Sequence, residues 1–301
     1  MTQRYRYTFT VFTPTFNRAH TLHRVYSSLQ AQIFRDFEWL IVDDGSTDGT
    51  RELVARWQET SDFPIRYVWQ ENAGKHKAFN RGVQEARGQL FLTLDSDDAC
   101  VPEALARFKF YWDSIPADRR ESFSAVTCLC QDVHGELVGD GLPAGVLDSN
   151  ALEIKYKYRI RGERWGFHRT DVLKRFPFDE SSEMGTMPWG RIARHFKTRY
   201  VNEALRIYYQ DDPEVSLSRA RRVRNALTGV FRYREVLNAE IAWFWHAPQE
   251  FVRLAVHYLR VSSRCRISPF EQLRKLKHKL AILLVLAAFP VGYFKHRRGL
   301  Q

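Results

Sequence analysis

The first hundred residues repeat one pattern of hydrophobic and polar positions four times. A short apolar run is followed by a polar turn, and then by apolar residues at the three- and four-residue spacing of a helix. The apolar runs predict strands over residues 8–13, 37–42, 65–69 and 89–94. Because strands and helices alternate, we expect an α/β fold, with a parallel sheet and helices on both of its faces.

Each of the four strands ends in a polar turn, at residues 13–18, 43–50, 72–77 and 95–98. In open parallel sheets, ligands bind beyond the carboxyl ends of the strands. We therefore expect the four turns to form one binding site at one edge of the sheet. Helix capping would explain any single turn, but it does not explain their common location.

The last of these turns, residues 95–98, is called the acidic turn below, because Asp95, Asp97 and Asp98 lie within four positions. Carboxylates this close repel one another unless a positive charge lies among them. Hard cations such as Mg²⁺ and Mn²⁺ prefer oxygen ligands and often also hold the phosphates of a substrate. The turn therefore favours a divalent metal, and the alternative is a solvated turn in which Asp97 or Asp98 caps the next helix.

Two common ways of binding a nucleotide are missing from the sequence. It has neither a GxGxxG motif after the first strand nor a GxxxxGK[ST] motif, so neither a dinucleotide fold nor a P-loop is supported. A parallel sheet that binds a nucleotide without a glycine-rich loop must hold the phosphates in another way. A metal on Asp95 and Asp97 would do so.

The remainder of the chain divides into a strand-containing part and a helical part. Further strands are predicted over residues 124–132, 162–169 and 198–209. From residue 220 onward the pattern is helical, so we expect a domain over 1–216 and a helical region over 217–301. The second region has 17 Lys and Arg against 4 acidic residues. The excess of positive charge that gives the whole chain its net charge of +11 therefore lies in this region. Such an asymmetry indicates a catalytic body joined to a region that binds an anionic surface.

Two segments of the helical region indicate what that surface is. Over residues 251–264 one helical face is apolar and another is basic, as in a helix that lies on an anionic membrane, although most amphipathic helices pack on their own protein. Residues 280–294 carry no charge and would form a helix of about 22 Å, short of the ~30 Å hydrocarbon core. We expect a peripheral or monotopic anchor, with a core helix as the alternative. The chain has no known nucleic-acid-binding motif, and its basic residues alternate with aliphatic runs, so we expect no nucleic-acid partner.

The cysteines and the N-terminus bear on the compartment. The four cysteines form neither a CxxC pair nor a disulfide-like framework, which favours a reducing environment. The first residues lack the apolar run of a signal peptide. We therefore expect a cytoplasmic protein at the inner face of the cell membrane.

The four polar turns together resemble a known family. PTFNR at 14–18, DDGSTDGT at 43–50, NAGK at 72–75 and LDSDD at 94–98, in this order, are similar to the motifs of family 2 glycosyltransferases with the GT-A fold. The resemblance covers roughly residues 8–210. It implies a mixed, mainly parallel central sheet flanked by helices, here extended by a helical basic C-terminal region, and a nucleotide-diphospho-sugar donor bound by the N-terminal half.

The resemblance also implies roles for individual residues. Asp95 and Asp97 match the DxD element, which holds Mg²⁺ or Mn²⁺ against the diphosphate and makes Asp97 a catalytic residue, while Asp98 would assist or orient them. Residues expected to bind the nucleotide sugar are Thr13, Asn17, Arg18, Asp43, Asp44, Lys75, Asp95 and Ser96.

A catalytic base is expected ahead of the helix that begins near Trp189. An inverting displacement needs a base that takes the proton of the acceptor hydroxyl. The sequence offers Asp179, Glu180 and Glu183, and we favour Glu183 because it lies nearest the helix. The alternative is that these residues only cap the helix or are solvated.

The sequence thus predicts a metal-dependent glycosyltransferase. It would act on a glycan or lipid-linked acceptor at a membrane, with inversion as a family expectation and with a role in envelope or surface glycan synthesis. The alternative is a catalytically inactive protein that keeps the fold and binds sugars or membranes.

Overall fold

The computed structural model describes residues 5–143, 145–180, 188–209 and 226–297. The chain divides into two compact units. The first unit comprises residues 1–151 and 160–210, and the second comprises residues 152–159 and 211–301. The second unit therefore includes a short segment that lies between two strands of the first. The boundary predicted at 216–217 lies outside the described residues and stays a prediction.

The first unit contains one nine-stranded sheet with the order β3-β2-β1-β4-β8-β6-β9-β5, and β7 pairs with β9. Its strands are β1 (Tyr7–Thr15), β2 (Phe37–Asp43), β3 (Ile65–Trp69), β4 (Gly88–Thr93), β5 (Ala99–Cys100), β6 (Phe123–Gln131), β7 (Val146–Ser149), β8 (Arg164–Arg169) and β9 (Lys197–Ile207). The strands β1 to β4 are parallel, whereas β8 is antiparallel to both β4 and β6. The predicted mixed sheet is confirmed, and its parallel pairs are concentrated in the N-terminal half.

Helices cover this sheet and connect its strands. They are α1 (Leu22–Gln30), α2 (Thr50–Thr60), α3 (Lys75–Glu85), α4 (Ala104–Asp113), the single turn α5 (Ala151–Glu153), α6 (Thr170–Arg175) and α7 (Trp189–Ile192). Every residue of β2 is buried, as expected for a parallel strand with helices on both faces. Two clusters of buried apolar side chains fill the space between the sheet and its helices.

The register of the parallel strands brings their carboxyl ends together. Thr15 at the end of β1 pairs with Asp43 at the end of β2, and Asp43 pairs with Trp69 at the end of β3. On the other side of β1, Phe12 pairs with Thr93, the last residue of β4. The prediction that the polar turns share one edge of the sheet is confirmed.

The described part of the second unit is helical. It contains α8 (Ala226–Ala239), a 3₁₀ helix (Ile241–His246), α9 (Pro248–Arg264), α10 (Pro269–Arg274) and α11 (Lys279–Arg297). The helix α9 packs against α8 and α11. Its buried residues include the apolar positions Phe251, Ala255, Tyr258 and Leu259. The apolar face for which we considered a membrane is therefore covered by the second unit itself, which was the alternative interpretation.

The helix α11 contains the uncharged segment 280–294. Ala281, Val285 and Ala288 are buried, whereas Leu283 and Leu286 are exposed. One face of this helix is thus packed and another is open to solvent. In the described ranges, no helix combines the length and the apolar character that crossing a membrane requires.

Candidate functional site

Asp98 connects the acidic turn to the end of β9. Its side chain is only 1% exposed, and its carboxylate accepts hydrogen bonds from Nε of Arg206 at 2.9 Å and from Nη2 of the same guanidinium. The other carboxylate oxygen accepts the backbone N–H of Tyr209 at 3.0 Å. Burial raises the pKa of Asp98 to about 6, although the Arg206 guanidinium opposes this shift. With this pKa the carboxylate is mostly ionised at neutral pH. Its contacts join the acidic turn to β9, and its role in orienting the other two acids stays a prediction.

Asp95 and Asp97 have different surroundings. Asp95 Oδ1 accepts a hydrogen bond from Nζ of Lys75 at 2.6 Å, and its Oδ2 lies 3.5 Å from Nη2 of Arg206. Asp97 is partly exposed, and its carboxylate makes no hydrogen bond or ion pair with the residues that the structure describes. Its backbone carbonyl accepts a hydrogen bond from Nη1 of Arg24 at 3.2 Å. Asp97 therefore presents, at the strand ends, a carboxylate that no side chain among the described residues pairs with. Ser96, between them, is buried.

The acidic turn offers carboxylates to a divalent metal. Within the described ranges, no group of three or more His, Cys, Asp or Glu side chains is arranged to hold a metal ion. Mg²⁺, however, is usually bound by only one or two carboxylates together with substrate phosphates and water. Asp95 and Asp97 offer hard oxygen ligands of this kind. The residues present thus fit a metal that is completed by its substrate.

The turn after β2 is organised by two buried carboxylates. Asp43 accepts hydrogen bonds from the backbone N–H of Ser46 at 2.8 Å and from the hydroxyl of Tyr67. Burial is the larger cause that raises the pKa of Tyr67, and the hydrogen bond to Asp43 raises it further. Asp44 accepts from the Gln70 amide at 2.7 Å and from two backbone N–H groups, of Ala73 at 2.9 Å and of Gly74 at 2.8 Å. The two carboxylates thus shape the turns, and their predicted contact with a donor stays a prediction.

Close approach of the turns after β2 and β3 depends on glycine. Gly45 has a φ of +87°, and a Cβ atom at this position would lie 2.9 Å from the backbone nitrogen of Asn72. Gly74, with a φ of +96°, precedes Lys75 at the start of α3. These two backbone conformations are ones that glycine adopts without strain. They place Lys75 where it reaches the acidic turn.

The turn after β1 contacts the turn after β2. Asn17 has a φ of +52°; its N–H donates to Ser46 Oγ at 2.8 Å, and its Oδ1 accepts the N–H of Thr47 at 2.8 Å. Thr13 is buried, and its hydroxyl accepts a hydrogen bond from Nε1 of Trp39 at 2.9 Å. Arg18 is partly exposed, and its guanidinium makes no hydrogen bond with the described residues. The structure thus brings the predicted residues of three turns together at one edge.

Arg206 is the main residue of this edge that the sequence did not reveal. It lies in β9 and is 7% exposed, and its guanidinium contacts two acids of the acidic turn. Tyr209 lies beneath the Arg24 guanidinium, with 4.1 Å from the guanidinium carbon to the ring centre. The available signal was an arginine near the end of a predicted strand.

The candidate bases are only partly within the described residues. Glu183 lies outside them. Glu180 accepts a hydrogen bond from the Asn80 amide of α3 at 2.6 Å. The same amide side chain bonds the backbone of Phe178 in both directions, at 3.0 and 2.9 Å. The segment that contains Asp179 and precedes Glu183 is therefore fixed to α3.

Comparisons with known proteins show that this chain is similar to glycosyltransferases. Residues 10–118 match the model of glycosyl transferase family 2. An uncharacterized glycosyltransferase of Nostoc sp. is 39% identical over 97 residues, which are 32% of this chain and 30% of that protein. The GalNAc(5)-diNAcBac-PP-undecaprenol β-1,3-glucosyltransferase of Campylobacter jejuni is 25% identical over 300 residues, or 93% of each chain.

Among solved structures, TarS residues 1–349 of S. aureus in complex with UDP-GlcNAc is similar to this chain. The TM-score is 0.63 with 17% identity, over 97% of this chain and 92% of that one. At this identity the likeness shows the fold, which is the GT-A fold.

Proposed function

We propose that the chain is a glycosyltransferase, which transfers a sugar from a nucleotide-diphospho-sugar donor to a hydroxyl of a glycan or lipid-linked acceptor. The match of residues 10–118 to the model of glycosyl transferase family 2 supports this proposal. The observation that carries the proposal is the acidic turn. There Asp95 is paired with Lys75 and Arg206, while the neighbouring carboxylate of Asp97 is left without a partner among the described residues. This arrangement lies at the strand ends where three polar turns meet.

The donor would bind along these turns. Thr13 and Asp43 lie at the ends of β1 and β2, where the base and ribose would lie, and Arg18 offers an uncommitted cation for the phosphates. The rigid contacts of Asn17 with the turn after β2 fix the shape of the pocket before any donor arrives. TarS has been solved with UDP-GlcNAc, which supports a nucleotide sugar as the ligand of this fold.

The departing diphosphate needs a countercharge. Asp95 and Asp97 would hold Mg²⁺ or Mn²⁺, which when bound stabilises the negative charge that develops on the diphosphate without a proton donor. Lys75 and Arg206 hold Asp95 in place, and Asp98 holds the turn that carries both ligands. Lys75 is itself 44% exposed and is positioned to contact an anionic leaving group.

The acceptor hydroxyl needs a base on the opposite side of the sugar. We propose that Glu183 takes the hydroxyl proton while the oxygen attacks the anomeric carbon, which gives inversion. Asp179 and Glu180 are the alternatives. The Asn80 bonds to Phe178 and Glu180 support this assignment of the region, because they fix the chain that leads to Glu183 on the helix that also carries Lys75.

We propose further that the second unit associates with an anionic membrane at its cytoplasmic face. The charge of residues 217–301 supports this, as do the exposed Leu283 and Leu286 of α11 and the 80% exposed Trp245. The name of the C. jejuni relative includes an undecaprenol-linked glycan, which supports a membrane-bound acceptor. Other relatives are named for abequosyl transfer, teichuronic acid synthesis and poly-β-1,6-N-acetyl-D-glucosamine synthesis, which supports a role in surface glycans.

Binding of the nucleotide tests the donor site. The melting temperature of the full chain is measured with UDP, GDP or dTDP, each with Mn²⁺ or with EDTA. One nucleotide should stabilise the protein by about 2.7 kcal/mol when its concentration is about 100 times its Kd, and EDTA should weaken this effect. Asp97→Asn should lose the metal dependence, whereas Asp118→Asn, which changes an exposed aspartate of another loop, should retain it. Failure of all three nucleotides to stabilise the folded protein would contradict the donor site.

A further inference from the structure

A groove of about 570 Å³ lies beside the candidate site, within the first unit. One of its walls is the outer face of α3, where Lys77, Arg81 and Gln84 are spaced by three and four residues. From Lys77 to Gln84 this wall is about 10 Å long, since a helix rises about 1.5 Å per residue. This wall of the groove therefore follows the helix away from Lys75, which contacts the acidic turn.

One end of the groove adjoins the turns assigned to the donor. Gln70 and Ala73 line the groove and also donate hydrogen bonds to the buried Asp44. Two residues beyond Ala73, Lys75 contacts Asp95. A molecule in the groove would thus be separated from the donor turns only by this short loop.

The opposite wall leads toward the candidate base. Pro177, Phe178 and Glu180 line the groove, and the Asn80 amide fixes this segment to α3. The chain continues from Glu180 to Glu183, the favoured base. The groove therefore lies between the donor turns and residues 177–180, which precede Glu183 in the sequence.

The polar groups that line the groove suit a ligand rich in hydroxyls. Glu71, Lys77, Arg81 and Gln84 have no side-chain hydrogen bond or ion pair within the described ranges, and they offer both donors and acceptors. Together with Glu180, the charged residues are two acids and two bases, so their charges cancel. Pro177 and Phe178 add apolar surface, which matches the C–H faces of sugar rings. A strongly anionic ligand would find no net attraction here.

We propose that this groove binds the glycan portion of the acceptor, a neutral oligosaccharide, and directs its reactive hydroxyl toward the donor turns. The proposal rests on the proposed function, because it names the substrate class of the same site.

The test separates binding in the groove from chemistry on the donor. The probes are the methyl β-glycosides of glucose, galactose, N-acetylglucosamine and N-acetylgalactosamine, observed by saturation-transfer difference NMR with the full chain. The groove variant is Arg81→Ala/Gln84→Ala, which removes two exposed side chains of α3. The matched control is Arg56→Ala, which removes an exposed arginine from α2, outside the groove.

At least one glycoside should bind the wild type and the Arg56→Ala control, and its affinity should fall about tenfold in the groove variant, the loss expected for one or two hydrogen bonds. Hydrolysis of the donor without acceptor should be equal in the wild type and in the Arg56→Ala control. Absence of binding to the wild type, or equal binding to the groove variant, would overturn the proposal. Binding of inorganic phosphate to the groove would also overturn the proposal, because it would show an anion site. It would appear as broadening of the ³¹P line by the wild type that is absent with the groove variant. The wild type could instead bind a glycoside in the groove and yet hydrolyse no donor. That result would reject the proposed function but would keep the proposed class of ligand.

Discussion

The guanidinium of Arg206 on β9 bonds the buried carboxylate of Asp98 in the acidic turn, with Nε 2.9 Å from Oδ2. The two residues are 108 positions apart in the chain. Their contact ties the antiparallel half of the sheet to the turn that carries Asp95 and Asp97. The site is thus assembled by both halves of the first unit.

Removing the arginine should destabilise the protein strongly. Arg206→Met leaves the buried carboxylate of Asp98 without its cationic partner, which costs about 3–5 kcal/mol in the free energy of unfolding. The double variant Arg206→Met/Asp98→Asn should recover much of this loss, because it removes the buried charge. Urea unfolding at pH 7 measures both. Equal destabilisation by the single and double variants would show that the charge is not the cause.

Lys75 should matter for activity and little for stability. Its ion pair with Asp95 joins side chains that are 44% and 30% exposed, and such pairs contribute at most about 1 kcal/mol. If the amine also contacts the diphosphate, Lys75→Ala should lower kcat about 10²-fold, as the loss of one charge-stabilising donor does in other enzymes. Steady-state kinetics and urea unfolding of the same variant check the two parts. Lys109→Ala on α4, which breaks another exposed ion pair, is the control and should leave kcat unchanged.

Asp44 should be sensitive to replacement by its amide. Its carboxylate accepts three hydrogen bonds, from Gln70, Ala73 and Gly74. In Asp44→Asn one acceptor oxygen becomes an NH₂ group that faces a donor, which costs about 1–3 kcal/mol. The donor KM should rise as well, because the loop before Lys75 loosens. An unchanged free energy of unfolding would mean that the loop does not depend on this carboxylate.

His168 should contribute a loss of stability in mild acid, which the difference between the wild type and His168→Phe isolates from the opposite contribution of Asp98. Burial lowers the pKa of this histidine in β8 to about 4, and its ring stacks on Trp189 with ring centres 4.7 Å apart. Below the ordinary pKa of about 6.5, the unfolded chain binds a proton that the folded protein does not, so stability declines as the pH falls from about 6.5 to about 4. The loss should reach at most about 3 kcal/mol. His168→Phe should show a flatter dependence over this range in urea unfolding at pH 7 and 4.5. An identical pH dependence of the two proteins would contradict the assignment.

The sequence predicted the half of the fold that rests on local pattern. The strands ending at Thr15, Asp43, Trp69 and Thr93 follow short apolar runs, and their turns meet because parallel strands share one carboxyl edge. The pairing of β9 with β6 and β5 joins distant segments, so no local pattern revealed that Arg206 would reach Asp98.

The helical region shows a second limit of sequence reasoning. The apolar face of α9 was recognised from its spacing, but spacing does not say what covers a face. In the structure α8 and α11 pack on α9, and the open apolar positions lie on α11 at Leu283 and Leu286. The choice among Asp179, Glu180 and Glu183 likewise stays a prediction, since Glu183 lies outside the described residues.

Hydrolysis of a panel of nucleotide sugars tests the central claim most directly. Wild type, Asp97→Ala and the exposed-loop control Asp118→Ala are compared with Mn²⁺, with Mg²⁺ and with EDTA, without acceptor. We predict that one donor is hydrolysed slowly by the wild type and the control when metal is present. EDTA should abolish this activity, and so should Asp97→Ala. Hydrolysis that is equal in Asp97→Ala, or absent for every donor in the folded wild type, would contradict a metal-dependent glycosyltransferase at the acidic turn.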